Sequence, residues 1–171
     1  MMVFIISFGA ILIGFLLIFF LTNRKFTPET PENQYFDHTE KQQINNLLSM
    51  PRDEFIELIK KLLTKLGFKI EQTTILNSGG VDFSVLDSQP IKGGRFIVHC
   101  LYSNENKLIN SIDIINLLDN VKGESALKGI LITPHFFTVE ALNTASGVQL
   151  ELINGRRLIE LLQENDLIDS F

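Results

Sequence analysis

Two regimes of hydrophobic pattern divide the chain. From Met1 to Leu21 every position is apolar except Ser7, Gly9 and Gly14, and no period leaves a polar face. From Pro51 onward, apolar residues recur at helical or alternating spacing between short polar turns. Between the two, Thr22 to about Leu48 is polar, carries Pro28 and Pro31, and sustains no apolar period. That intermediate stretch reads as a linker with a short helix near Glu40 to Leu48.

The regular part predicts its elements in turn. PRDEFIELIKKLLTKLGF puts Phe55, Leu58, Ile59, Leu62, Leu63 and Leu66 at helical spacing, with Gly67 placed to end the helix. FKIEQTTIL alternates as a strand, NSGG is a turn, and VDFSVLD sets Val81, Phe83 and Val85 on one face with Asp82 and Ser84 on the other. RFIVHCLY, Arg95 to Tyr102, follows as a third strand after the loop SQPIKGG. A helix is expected around Ile109 to Val121, and KGILITP is the near-continuous apolar run of a strand covered on both faces. FFTVEALNTAS (helix), VQLELIN (strand) and GRRLIELLQEN (helix) complete the order α-β-β-β-α-β-α-β-α. A leading helix, a meander and then βα alternation imply an α/β domain, a mixed sheet flanked by helices, over residues 51–171.

The first segment changes the picture most. About 20 apolar residues are needed to span a bilayer core, and residues 1–22 supply them, so a transmembrane helix is expected there, followed by a juxtamembrane linker at 23–50. A cleaved leader is disfavoured, because no basic residue precedes the run and no small-x-small pattern ends it. Arg24 and Lys25 follow the run directly, and the positive-inside bias then assigns the C-terminal domain to the cytoplasm. The lone Cys100 agrees with a reducing compartment. Residues 1–22 therefore name the membrane as one expected partner.

A net charge of −5 disfavours generic nucleic-acid binding, which rests on neutralising phosphates. Lys60, Lys61, Lys65 and Lys69 form one basic cluster in sequence and Arg156-Arg157 another, each also readable as a solvated face. NSGGVD leads into a strand, so it is a turn and not a phosphate-binding loop. One cysteine and three scattered histidines provide no zinc spacing. The strand-loop-strand from Gly79 to Tyr102 is the remaining candidate, with metal-dependent phosphodiester cleavage as its chemistry. That reaction needs carboxylates for a hard cation such as Mg²⁺ and a lysine to activate water or stabilise charge. Asp82 on one strand faces the positions of His99 and Leu101 on the next, where an oxygen ligand and a lysine are required.

The segments FIELIKKLLTKLGFKIEQT, GGVDFSVL, FIVHCLY, KGILITPHFFTVEAL and VQLELINGRRLIELL together resemble, in order, the catalytic domain of Mrr-like type IV restriction endonucleases of the PD-(D/E)xK superfamily. The resemblance implies a restriction-endonuclease-like fold, DNA as the family's partner, and Asp82 as the metal-binding aspartate. It also implies loss: His99 stands at the family's Gln or Glu, Leu101 at its catalytic Lys, and Ile56 at the Glu of the leading helix, with Glu57 one residue on. The expectation is a degenerate nuclease, without cofactor, that binds DNA or a protein. The alternative is an active Mg²⁺ enzyme in which Asp82 is joined by relocated groups, with Glu57 or Glu105 as ligand and Lys92 or Lys107 as the lysine. A membrane-tethered interaction domain with no nucleic-acid role is the third reading.

Overall fold

A computed structural model describes residues 38–76, 79–90, 93–103 and 107–168. The expected transmembrane helix at 1–22 lies outside the described residues, as do Lys92 and Glu105. Among the described residues, no helix is long and apolar enough to cross a membrane.

The chain builds α1 (His38–Ser49), α2 (Arg52–Lys65), β1 (Phe68–Ile75), β2 (Val81–Asp87), β3 (Gly94–Cys100), α3 (Ser111–Gly123), β4 (Lys128–Ile132), α4 (Val139–Ala145), β5 (Leu150–Ile153) and α5 (Gly155–Glu164). The five strands form one sheet in the order β1-β2-β3-β4-β5. β1, β2 and β3 pair antiparallel, whereas β3, β4 and β5 pair parallel. The expected mixed sheet with helices on both faces is present.

Alternation along the strands sends side chains into two cores. Val81, Phe83 and Val85 of β2 and Val98 and Cys100 of β3 pack with Phe55, Ile59, Leu62 and Leu63 of α2 and Leu158, Ile159 and Leu162 of α5. Ile97 of β3 and Leu131 of β4 turn the other way, onto Ile114, Leu117 and Val121 of α3 and Ala141 of α4. Asp82, Ser84 and His99 share the parity of this second face. Lys69 alternates with Phe68 and Ile70, which pack into the first core, so it parts from the α2 lysines with which it clusters in sequence.

Several boundaries differ from the periodic reading, each for a local reason. The expected linker at 23–50 yields its end to α1, whose Ile44 and Leu47 are buried in the first core. The α3 helix starts at Ser111 and not Ile109: Asn110 caps it by accepting from the Ile112 amide at 2.8 Å, and Ile109 forms a parallel bridge with Phe137. That bridge also delays α4 to Val139, capped by the Thr138 hydroxyl. The third strand ends at Cys100, and Tyr102 leaves it to donate its hydroxyl to the backbone carbonyls of Leu48 and Met50 while its ring meets Phe55 at 4.7 Å. This anchor fixes the α1–α2 junction against the sheet end beside Asp82's strand.

Candidate functional site

Asp82 and His99 are directly opposed in the antiparallel register of β2 and β3. Their side chains meet, His99 Nδ1 against Asp82 Oδ1, and both are largely enclosed, at 7% and 14% side-chain exposure. The other carboxylate oxygen, Oδ2, accepts from Asn120 Nδ2 of α3 at 2.9 Å. Asp82 thus ties β2 to β3 and to α3 through both of its oxygens. Asn120 was not among the sequence candidates; nothing in the mixed polar and apolar sequence of α3 singles it out.

Above the pair lies a cleft of about 290 Å³ between the β1–β3 face and the C-terminal half of α3. Gln72 and Thr74 of β1 line it with Leu76 just past that strand, Asp82, Ser84 and Ile97 from the sheet centre, and Asp119, Asn120 and Gly123 of α3 with its C-cap Glu124. These lining residues include three carboxylates and neither lysine nor arginine. The C-terminal end of α3 adds the negative pole of a helix.

The other candidates are distributed elsewhere. Leu101 lies opposite Gly80, just past β3, half-buried against the second core, and its Cδ2 sits 3.1 Å from where a Gly80 Cβ would stand. Its amide donates to Ile132 O at 3.0 Å, so the backbone there is held in place. Ile56 packs at the margin of the first core. Glu57 is exposed on α2 and pairs with Lys60 at 2.7 Å, on the sheet face opposite to Asp82. Lys107 is exposed and does not line the cleft. The fold therefore joins Asp82 with His99 but brings neither Glu57 nor Lys107 to them.

The donor set does not fit a hard divalent cation. Such an ion takes several converging oxygen ligands, whereas beside Asp82 His99 offers only nitrogen and Leu101 offers nothing, and Asp119 and Glu124, though they line the same cleft, are not grouped with Asp82 as a metal-holding set. No group of three His, Cys, Asp or Glu side chains disposed to hold a metal occurs among the described residues.

Two neighbouring titratable groups have displaced proton affinities. Burial pushes the Cys100 thiol up to about 12, partly opposed by the Arg52 charge and reinforced by Asp82. A thiol this resistant to ionisation is a poor nucleophile. Burial depresses the pKa of His135, against a hydrogen bond from its ring to Ser103 O at 2.9 Å. His135 Nδ1 is buried with no hydrogen-bond partner among the described residues.

Comparison with known proteins identifies a family and a shared fold. Residues 47–162 match the Mrr_cat restriction endonuclease family. The DNA modification-dependent restriction endonuclease AspBHI superposes with a TM-score of 0.56 at 15% identity, covering 80% of this chain and 38% of its own. A protein of unknown function, AF1548, superposes with a TM-score of 0.50 at 16% identity, covering 72% of this chain and 66% of its own. At these identities the structures share the fold. No curated protein sequence matches the chain.

Proposed function

Because the chain belongs to the Mrr_cat restriction endonuclease family, we propose that it is a catalytically inactive member of that family, held at the membrane by residues 1–22 with its domain in the cytoplasm, and serving as a binding module for a protein partner. The observation that carries the loss of catalysis is the state of Asp82, whose two oxygens accept from Asn120 and face His99. Leu101 at the place of the lysine supports the same reading, since an alkyl group neither carries charge nor moves a proton.

Restriction endonucleases act on DNA, but in this chain the cleft beside Asp82 presents Asp82, Asp119 and Glu124 to any phosphate. Elsewhere the Arg156-Arg157 pair, one of the two basic clusters in the sequence, is engaged internally. Arg157 bridges Glu160 at 2.8 Å and Glu164 at 3.3 Å, and Arg156 pairs with Glu40 at 3.3 Å. These contacts favour a protein over a nucleic acid as the partner. The membrane assignment rests on the apolar run Met1 to Leu21 and on Arg24 and Lys25 after it.

The deciding experiment is a cleavage assay on the purified full chain with Mg²⁺ or Mn²⁺, using modified and unmodified duplex DNA, alongside Asp82→Ala. No cleavage by either protein is expected; metal-dependent cleavage lost in Asp82→Ala overturns the proposal. A retardation assay across salt concentrations tests DNA binding, and a steep salt dependence of tight binding would replace the protein partner by DNA. Alkaline carbonate extraction of membranes tests the anchor: release of the chain into the soluble fraction would refute it.

A further inference from the structure

The exposed end of α2 has a composition that neither the cleft nor the core uses. Lys60, Lys61, Thr64 and Lys65 line, with Leu167, a shallow depression of about 440 Å³. Its lining is predominantly apolar although three of the five lining residues are lysines, so alkyl stems supply much of the surface while each side chain ends in an ammonium group. Leu66, the next residue along, is 41% exposed. Lys60 is neutralised by Glu57, but Lys61 and Lys65, one turn apart on the exposed face, take part in none of the ion pairs among the described residues. An apolar lining with ammonium ends is complementary to an anionic amphiphile: a phosphate at the ammonium groups, acyl methylenes against the alkyl stems.

We propose that the Lys61–Lys65–Leu66 end of α2 docks on the anionic phospholipid surface of the bilayer that anchors the chain. The inference rests on the membrane reading above and deepens it by assigning a face. Two features leave this face free to reach the bilayer. Helix α1, into which the chain runs from the N-terminal segment, belongs to the same layer as α2 and α5, packed on the same core. Residues 23–37 reach about 50 Å at most, so the domain stays within range of the surface.

Two lysines alone hold a free protein weakly. Each basic residue near an anionic leaflet favours the bound state by about fivefold, and tethering supplies the effective concentration that a free domain lacks. Replacing both lysines should therefore lower the docked-to-undocked ratio roughly thirtyfold.

The test uses the full chain with Leu66→Cys carrying a bimane label; Cys100 is buried and stays unlabelled. It is reconstituted in nanodiscs of phosphatidylcholine alone or mixed with phosphatidylglycerol. Expected are co-elution with both discs, and a blue-shifted, quencher-protected emission in the anionic discs only. High salt and the pair Lys61→Gln with Lys65→Gln should each abolish the shift. Co-elution with the same emission in both discs, or a shift that survives the lysine substitutions, overturns the docking site while leaving the anchor intact. A chain that co-elutes with neither disc overturns the anchor. A shift produced in neutral discs by added duplex DNA overturns the lipid assignment in favour of nucleic acid.

Discussion

Removing the Asp82 carboxylate should destabilise the protein, and the size of the loss separates a structural aspartate from a retained catalytic one. In Asp82→Ala, His99 loses the acceptor for Nδ1 in a residue only 5% exposed, and Asn120 loses its bond to Oδ2. A hydrogen bond to a charged partner is worth about 1.5–3 kcal/mol and an ordinary exposed one about 0.5–1.5 kcal/mol, so the loss should be about 2–4 kcal/mol. For a folded unit of this size that lowers Tm by roughly 6–15 °C. Asp82→Asn, which keeps the shape and can still meet both neighbours, should lose much less.

The assay is thermal unfolding of the full chain in detergent, followed by near-ultraviolet circular dichroism, with a double-mutant cycle through Asn120→Ala. A coupling energy of about 1 kcal/mol between Asp82 and Asn120 is expected, since they share one bond. Residues kept for chemistry against the interest of stability behave in the opposite sense, and truncating them often raises Tm. A higher Tm in Asp82→Ala would therefore refute the structural role assigned to the carboxylate. So would a Tm that rises with Mg²⁺ in the wild type and not in the variant, because a ligand stabilises the state that binds it.

Three further outcomes follow from groups away from Asp82. His135 is buried and its pKa is depressed below 6.5, so the unfolded chain takes up its proton first; its contribution to stability is whole above that pH and wanes as the pH falls through it, and His135→Gln should flatten the Tm–pH curve in that acid window. Cys100, pushed up to about 12 from 9.0, stays protonated in the fold while the unfolded chain ionises; stability should fall as pH climbs from about 9 toward 12, and thiol labelling at pH 8 should proceed only at the rate of unfolding. Gly155→Ala would set a Cβ 2.3 Å from Pro134 O at the start of α5; the forced backbone shift should cost about 1–3 kcal/mol in the same melting assay, and an unchanged Tm would show that this junction yields easily.

The elements of the sheet were legible because their signals are local. β2 shows its period in seven residues, and the helix at Phe55 to Leu63 buries four side chains at 3.6 spacing. Helix α1 was not legible as part of the core: in HTEKQQINNLLS the buried Ile44 and Leu47 make a stripe too short to stand out from a polar linker. The caps Asn110 and Thr138 moved two helix starts through contacts that a hydrophobic pattern does not encode. At the site, Asp82 and His99 were found because strand register is predictable across a short loop. Asn120 was missed because its bond crosses 38 residues and depends on how α3 lies over the sheet. Of the relocated partners among the described residues, Glu57 does not meet Asp82, because α2 covers the other face of the sheet.

The changes around Asp82 are coupled in a physical sense. A carboxylate set between a sheet and a covering helix is costly unless its charge is met, and in a metal-dependent site a cation and a lysine do this. With Leu101 at the lysine's place and packed into the second core, that compensation has to come from elsewhere. His99 meets one oxygen in register from β3, and Asn120 donates a hydrogen bond to the other from α3. The same contacts occupy one lone pair on each Asp82 oxygen and so compete with an incoming ion. Under the reading proposed here, restoring a lysine at 101 alone does not reopen the site, because the carboxylate stays committed to its two neighbours. On that reading, the hydrogen bonds that hold Asp82 between β2, β3 and α3 give the carboxylate a structural role that does not depend on catalysis.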